Sequence, residues 1–273
     1  MTRTKIDRDM LPRARKRFGQ HFLEPAWVAK LVGSLALEPD DMVLEIGPGR
    51  GALTIPLAAK VRRVIAVEID RDLAAALQRT LPPHVTVVEG DFRQIRLSEL
   101  LESESHPVRV VGNLPYNVAS PILFKLLHEA GYGRLISDAT LMLQKEVADR
   151  LTATPGTSEY GVLAIQVSLL ADVERILTLP PGAFRPPPKV TSAVVRMRFR
   201  PPREDVGNLE TFERLVRGIF VQRRKTLLNA LKPVADGFGR TAAQIIASAD
   251  VDGTKRPEEL TLSDIAQLSR AVL

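Results

Sequence analysis

The chain has 273 residues, with 38 Lys plus Arg against 32 Asp plus Glu, a formal net charge of +6, and no cysteine. That length suits about two domains with a sizeable core, and the absence of thiols excludes disulfides, thiolate zinc sites and a cysteine nucleophile. The four histidines, His21, His84, His106 and His128, lack metal-ligand spacing, so no metal is expected. No apolar run is long enough to span a bilayer. Nor does the N-terminus carry a signal-peptide core, so a cytoplasmic protein with a polyanionic partner is expected.

Residues 1–20 form a basic arm, with Arg3, Lys5, Arg8, Arg13, Arg15, Lys16 and Arg17 against Asp7 and Asp9. A solvated arm is the usual fate of such a charge run. Here it ends in Phe18-Gly19-Gln20-His21-Phe22, a basic-to-aromatic junction that points to phosphate contact by Arg15, Lys16 and Arg17. A helix is expected over 24–36, followed by strands near 42–47, 64–69, 85–89, 108–112 and 138–143. These alternate with helical patterns at 52–60, 71–80, 97–104 and 120–130. Such alternation predicts an α/β domain with a parallel, doubly wound, Rossmann-like sheet.

The first strand, Met42-Val43-Leu44-Glu45-Ile46, runs into Gly47-Pro48-Gly49-Arg50-Gly51, a turn whose glycines let backbone approach a ligand. The spacing also fits the looser dinucleotide fingerprint, which keeps a nicotinamide or flavin enzyme open. Glu68, ending the second strand, is placed to accept from a ribose diol, a group shared by NAD and S-adenosylmethionine. Glu45 and Pro48 within the turn favour the methyl donor, which is cationic and has no pyrophosphate. After the third strand, Asp91 is placed to accept from a cofactor adenine amine while Phe92 packs on its ring. Gly47 is assigned to the cofactor's amino-acid end.

The fourth strand ends in Asn113-Leu114-Pro115-Tyr116. An adenine N6 is a poor nucleophile because its lone pair is delocalised into the ring. Acceptors taking its two N–H bonds favour a pyramidal nitrogen whose lone pair faces a methyl donor. Asn113 offers a side-chain carbonyl and Leu114 a backbone carbonyl, held by the fixed φ of Pro115. Tyr116 offers a ring face for stacking. Beyond it, 160–171 reads as a helix and 172–179 and 190–200 as two last strands, joined by a Pro-rich loop over 180–188. Lys189 in this region is a candidate phosphate contact. Pro201-Pro202-Arg203-Glu204-Asp205 reads as a linker to a helical domain. Its first helix carries one apolar face, Leu209, Phe212, Leu215, Val216, Ile219 and Phe220. At Arg223 that periodicity fails: either the helix breaks there, or Arg223, Arg224 and Lys225 are positioned for RNA. Further helices are expected near 241–248 and 261–272. The expected organisation is thus a basic arm over 1–20, a cofactor domain over 21–202 and a helical recognition domain over 203–273.

Taken in order, these segments resemble the small-subunit ribosomal RNA adenine dimethyltransferases, the kasugamycin-sensitivity dimethylase family. The resemblance rests on the 15–23 segment, the glycine turn, Val67-Glu68-Ile69-Asp70, Gly90-Asp91 and Gly112-Asn113-Leu114-Pro115-Tyr116-Asn117. Later come Met142-Leu143-Gln144-Lys145-Glu146-Val147, Phe184-Arg185-Pro186-Pro187-Pro188-Lys189-Val190, Ser192-Ala193-Val194-Val195-Arg196 and Phe220-Val221-Gln222-Arg223-Arg224-Lys225-Thr226-Leu227. It covers nearly the whole chain, and the late motifs are the specific ones. It implies a class I methyltransferase sheet with an antiparallel last strand and S-adenosylmethionine as cofactor. The implied reaction is dimethylation of N6 on two adjacent adenosines in the 3′-terminal hairpin of small-subunit rRNA. The implied setting is an immature 30S-type subunit, acted on by a monomeric enzyme. It further implies cofactor contacts by His21 and Leu23, and stacking of Phe184 on the target base; the alternative for Phe184 is a core anchor for its loop. Many members carry Asn where His21 stands, and histidine can still donate or accept there. Rival readings are a related large-subunit rRNA methyltransferase, a non-catalytic assembly factor on the same fold, and a nicotinamide oxidoreductase.

Overall fold

The computed structural model describes residues 21–273; the basic arm, with Arg15, Lys16 and Arg17, lies outside them. Two compact units emerge. One is built from the described residues up to Ala148 together with Val173–Arg200, the other from Asp149–Asp172 and Pro201–Leu273. The segment 149–172, expected within the cofactor domain, thus groups with the C-terminal helices.

The first unit begins with the short strand β1 (Phe22–Leu23) and helix α1 (Pro25–Ser34). Then come β2 (Met42–Ile46), α2 (Thr54–Ala58), β3 (Arg63–Glu68), α3 (Arg71–Thr80), β4 (Val85–Glu89), α4 (Leu97–Leu100), β5 (Val108–Asn113), α5 (Ala119–Glu129) and β6 (Ile136–Gln144). The helix α6 (Lys145–Leu151), absent from the sequence expectation, leads to α7 (Val162–Leu170), then β7 (Ala171–Leu179), β8 (Phe184–Arg185) and β9 (Ser192–Phe199). Seven strands form one sheet in the order β4-β3-β2-β5-β6-β9-β7. Strands β2 to β6 pair in parallel, and β9 runs antiparallel to β6. This is the expected Rossmann-like sheet with a reversed late strand. β2 is buried at all five positions, as a strand covered on both faces must be.

Two helices are shorter than their apolar patterns predict. The helix expected over 52–60 is regular only from Thr54 to Ala58. Gly47, Gly49 and Gly51 all have positive φ, so the chain stays in turns after β2 before it can become helical. The helix expected over 97–104 stops at Leu100. Just beyond it, the Glu104 carboxylate takes hydrogen bonds from Arg62 at 2.9 Å and Arg63 at 2.8 Å, fixing this segment to the sheet instead.

The strand order reverses direction between β2 and β5. In an open parallel sheet that switch point leaves a crevice at the carboxyl ends of the strands. Ile46 and Gly112 are paired in register, so Gly47 and Asn113, the next residue on each strand, emerge side by side. A two-stranded pair, Phe22 with Arg185 and Leu23 with Phe184, carries the segment after the basic arm to the same edge.

The second unit is helical, with α8 (Leu209–Phe220), α9 (Leu227–Ala235), α10 (Ala242–Ala249) and α11 (Leu262–Ala271) packed with α7. The apolar face of α8 buries Phe212, Leu215, Val216 and Ile219. The helix does break before Arg223: α8 ends at Phe220 and turns lead into α9. Tyr160 is buried and donates its hydroxyl to the Leu260 carbonyl at 2.9 Å.

Candidate active site

A cleft opens at the switch point, lined from four directions. β2 and its glycine turn supply Glu45, Gly47, Pro48 and Gly49. β3 supplies Glu68 and is followed by Ile69. β5 supplies Asn113 and is followed by Leu114, Pro115 and Tyr116. The N-terminal segment supplies His21, Phe22 and Leu23. Of the residues assigned from sequence, His21, Leu23, Gly47, Glu68, Asn113, Leu114 and Tyr116 are therefore brought together.

The glycine turn does not present an anion cradle. The Gly47 N–H donates to the Val67 carbonyl at 2.9 Å, and the Gly51 N–H to the Pro48 carbonyl at 2.9 Å. The Gly49 N–H donates to Glu68 Oε2 at 2.9 Å. All three amides are consumed within the protein, so the turn has no free N–H from these glycines for a pyrophosphate. Phe22 lies against it, its Cε1 3.1 Å from where a Cβ on Gly49 would stand.

Glu68 is 3% exposed and also accepts from the Asp70 N–H at 2.9 Å. A carboxylate offers about four lone-pair sites, and with the Ile69 N–H also bonded to it, acceptor capacity remains for a ribose hydroxyl. Burial pushes its pKa up, while the N–H groups of Asp70 and Gly49 pull it back. Glu45 is 1% exposed and its Oε2 has no hydrogen-bond partner. Desolvation, with a smaller push from the Glu68 charge, raises its pKa to about 8. Among the lining residues only His21 can carry positive charge. Two buried carboxyls with no lysine or arginine among the described lining residues suit a ligand that brings its own cation.

At the other side of the cleft, Asn113 Nδ2 donates to the His21 carbonyl at 2.8 Å. A carbonyl only accepts, so this bond fixes which end of the amide is which, and Oδ1 is turned away as an acceptor. Tyr116 shares a 2.7 Å hydrogen bond with Ser192 Oγ, and burial holds its phenol above the usual range. The His21 ring stacks on Tyr116 with centroids 5.7 Å apart. Its Nδ1 lies 2.7 Å from the Pro186 carbonyl, so this nitrogen carries the proton.

Other assigned residues lie elsewhere. Asp91 and Phe92 are not among the cleft-lining residues. The Asp91 carboxylate caps the following turn through the Arg93 N–H and is clamped by Arg93 Nε at 3.0 and 3.1 Å. These bonds to Arg93 hold its pKa down. Phe92 is buried at 5% exposure. Phe184 is 2% exposed and packed in the core with Leu23, Leu31 and Val194, so the core-anchor alternative describes its placement. Lys189, Arg224 and Lys225 are exposed. Arg223 instead binds Glu258 Oε2 at 2.9 Å and the Ser158 carbonyl at 3.0 Å. Sequence reasoning missed Ile69, an apolar side chain 46% exposed at the cleft, and Ser192 as the partner of Tyr116. The first looks like an ordinary strand residue; the second is 76 residues from its partner.

A family model described as "Ribosomal RNA adenine dimethylase" matches residues 12–270. The chain belongs to this family. It is 45% identical over 261 residues to the Ribosomal RNA small subunit methyltransferase A of Acinetobacter baylyi, covering 94% of this chain and 92% of the relative. A relative of the same name from Geobacter metallireducens is 43% identical, with 96% of each chain covered. Among solved structures, a dimethyladenosine transferase from Plasmodium falciparum matches with TM-score 0.73 and 27% identity, covering 91% of this chain and 96% of that one. The 23S rRNA methyltransferase ErmE matches with TM-score 0.62 and 26% identity, covering 92% and 99%. The fold is thus shared by enzymes of both ribosomal subunits, whereas the closer sequence likeness is to small-subunit enzymes.

Proposed function

We propose that this protein transfers methyl groups from S-adenosylmethionine to N6 of two adjacent adenosines in the 3′-terminal hairpin of small-subunit rRNA. It works in the cytoplasm as a monomer on an immature 30S-type subunit. The observation that carries the reading is Asn113, whose Nδ2 is held by the His21 carbonyl and whose Oδ1 is left as the acceptor end of a cleft-lining amide. The residues of the cleft fit the cofactor: the carboxyls of Glu45 and Glu68 suit a cation, and the consumed amides of the glycine turn do not suit NAD. S-adenosylmethionine supplies an electrophilic methyl group on a sulfonium.

The chain's own residues do the rest. Glu68 accepts from a ribose hydroxyl, and the Gly47 carbonyl accepts from the amino-acid ammonium, its N–H being engaged already. Ile69 covers one face of the adenine; Leu23 closes the pocket behind it. Asp91, held by Arg93, and the buried Phe92 fix the turn after β4 instead of contacting the cofactor directly. Asn113 Oδ1 and the Leu114 carbonyl take the two N6–H bonds of the target adenosine, which orients its lone pair toward the donor. Tyr116, its hydroxyl tied to Ser192, offers a ring face to the base once flipped out of its stack. Phe184 supports this floor from beneath, through the β1–β8 pair. The proton lost from N6 goes to solvent. Arg15, Lys16, Arg17, Lys189, Arg224 and Lys225 contact phosphates, and Arg223 braces their turn.

The deciding experiment is methyl transfer to immature small subunits, with large subunits and a nicotinamide-binding assay as controls and the product nucleoside identified. The reading expects N6,N6-dimethyladenosine in small subunits alone. Modification of large subunits only, or binding of NAD in place of the methyl donor, would overturn it.

A further inference from the structure

We propose that Glu45 is the charge-selecting residue of the methyl-donor pocket: it is neutral in the empty protein, ionises when the sulfonium-bearing donor enters, and takes a proton back when the neutral thioether product replaces that donor. The inference rests on the methyl-donor reading above and adds a role that reading does not contain.

The donor and the product, S-adenosylhomocysteine, share adenine, ribose and amino acid. They differ by one methyl group and one positive charge. A pocket that tells them apart by charge needs a counter-charge that water does not neutralise. Glu45 is 1% exposed, lines the cleft, and has an Oε2 without a hydrogen-bond partner. Among the described residues its neighbours supply no lysine or arginine. From β3 it faces the Glu68 carboxyl, with Asp70 behind that; from α2 it faces the Thr54 hydroxyl. From β5 the cleft residues Asn113 and Leu114 are neutral, and His21 stands on the cleft's N-terminal side. Glu68 differs from Glu45 because both its oxygens already hold backbone N–H groups.

A buried acid beside a second acid keeps its proton until a cation offsets its charge, consistent with the raised pKa of about 8. Donor binding breaks the Glu45 O–H bond and passes the proton to buffer; product binding leaves that bond intact. The consequence is linkage. Below the pKa, donor affinity rises with pH while product affinity stays level, so their ratio climbs by up to about tenfold per pH unit.

The test is calorimetric titration of the intact protein with S-adenosylmethionine and S-adenosylhomocysteine from pH 6 to 9, in two buffers of different ionisation enthalpy. The donor's own amine titrates equally against every protein variant, so comparison with Glu45→Gln cancels it. We expect the wild type to release more protons on donor binding than the variant, and its donor-to-product ratio to rise by about tenfold or more relative to the variant between pH 6 and 8. Glu45→Asp keeps an ionisable carboxyl at the site, so proton release and the rise with pH should persist in it. That variant carries the test if Glu45→Gln fails to fold. Identical pH profiles for wild type and Glu45→Gln, or loss of the rise in Glu45→Asp, would overturn the role of Glu45 while leaving donor binding in place. Failure of the wild type to bind either ligand at any pH would overturn the methyl-donor reading itself.

Discussion

Asn113 and His21, 92 residues apart, are joined by a single hydrogen bond from the Asn113 amide to the His21 carbonyl, 2.8 Å long. The bond uses the backbone of His21, not its ring. Any residue at position 21 can therefore hold the Asn113 side chain, provided β1 stays paired with β8.

Asn113→Ala removes the Oδ1 acceptor without touching the glycine turn. Turnover should fall about 10²–10³-fold, the usual scale for losing one positioned transition-state hydrogen bond. Calorimetry should find donor affinity nearly intact, because the interaction matters most in the transition state. His21→Ala, which keeps the carbonyl, should lose far less turnover. Equal losses in the two variants would contradict the backbone anchoring.

Glu68→Ala should weaken S-adenosylmethionine by about 1–3 kcal/mol, the range for losing a charged acceptor. Part of that loss comes from the Gly49 and Asp70 N–H groups left without their acceptor. Subunit binding without cofactor should stay level. Unaltered donor affinity would remove Glu68 from the ribose site.

Glu45 also makes a stability prediction. Its pKa is raised in the folded protein from the ordinary 4.5 to about 8. Such a group contributes stability fully below its unfolded pKa, and that contribution is lost as pH rises through the folded value. The ligand-free wild type should therefore lose melting temperature as pH climbs from about 4.5 past 8, and Glu68, shifted the same way, adds to the trend. Glu45→Gln should flatten the profile and melt higher than wild type at pH 9. A parallel profile for the two proteins would show that Glu45 is not the titrating group.

The basic cluster should divide in function. Arg223 pairs with Glu258 and the Ser158 carbonyl, both within its own unit. A half-exposed pair of this kind is worth about 1 kcal/mol, so Arg223→Ala should lower the melting temperature by about 2–4 °C. Its effect on the salt dependence of subunit binding should be small. Arg224 and Lys225 are exposed, and neutralising both should flatten that salt dependence through fewer released counterions while leaving melting unchanged. The reverse pattern, measured across a salt series, would make Arg223 the phosphate contact and its neighbours structural.

The strand–helix alternation and the helical C-terminal part were legible in the sequence, because apolar periodicity states directly which face each element buries; the reversed late strand was implied by the family resemblance alone. So was the meeting of the glycine turn with Asn113, since a parallel sheet with short connections puts those strand ends at one switch point. Side-chain engagement was not legible. Asp91 has the sequence look of a free acceptor, yet Arg93, two residues on, clamps it. Phe184 stands on a stiff Pro-rich loop, but pairing of Leu23 with Phe184 turns its ring into the core. Arg223 sits in a charge run, and only packing of its unit brings Glu258 within reach, 35 residues away. Glu45 alternates along its strand like any other residue; the sheet and the glycine turn bury it and leave its Oε2 unpaired. Periodicity is a local property that a single chain segment carries alone. Pairing across tens to hundreds of residues depends on which surfaces the assembled strands bring together, and those distances exist only once the chain has folded.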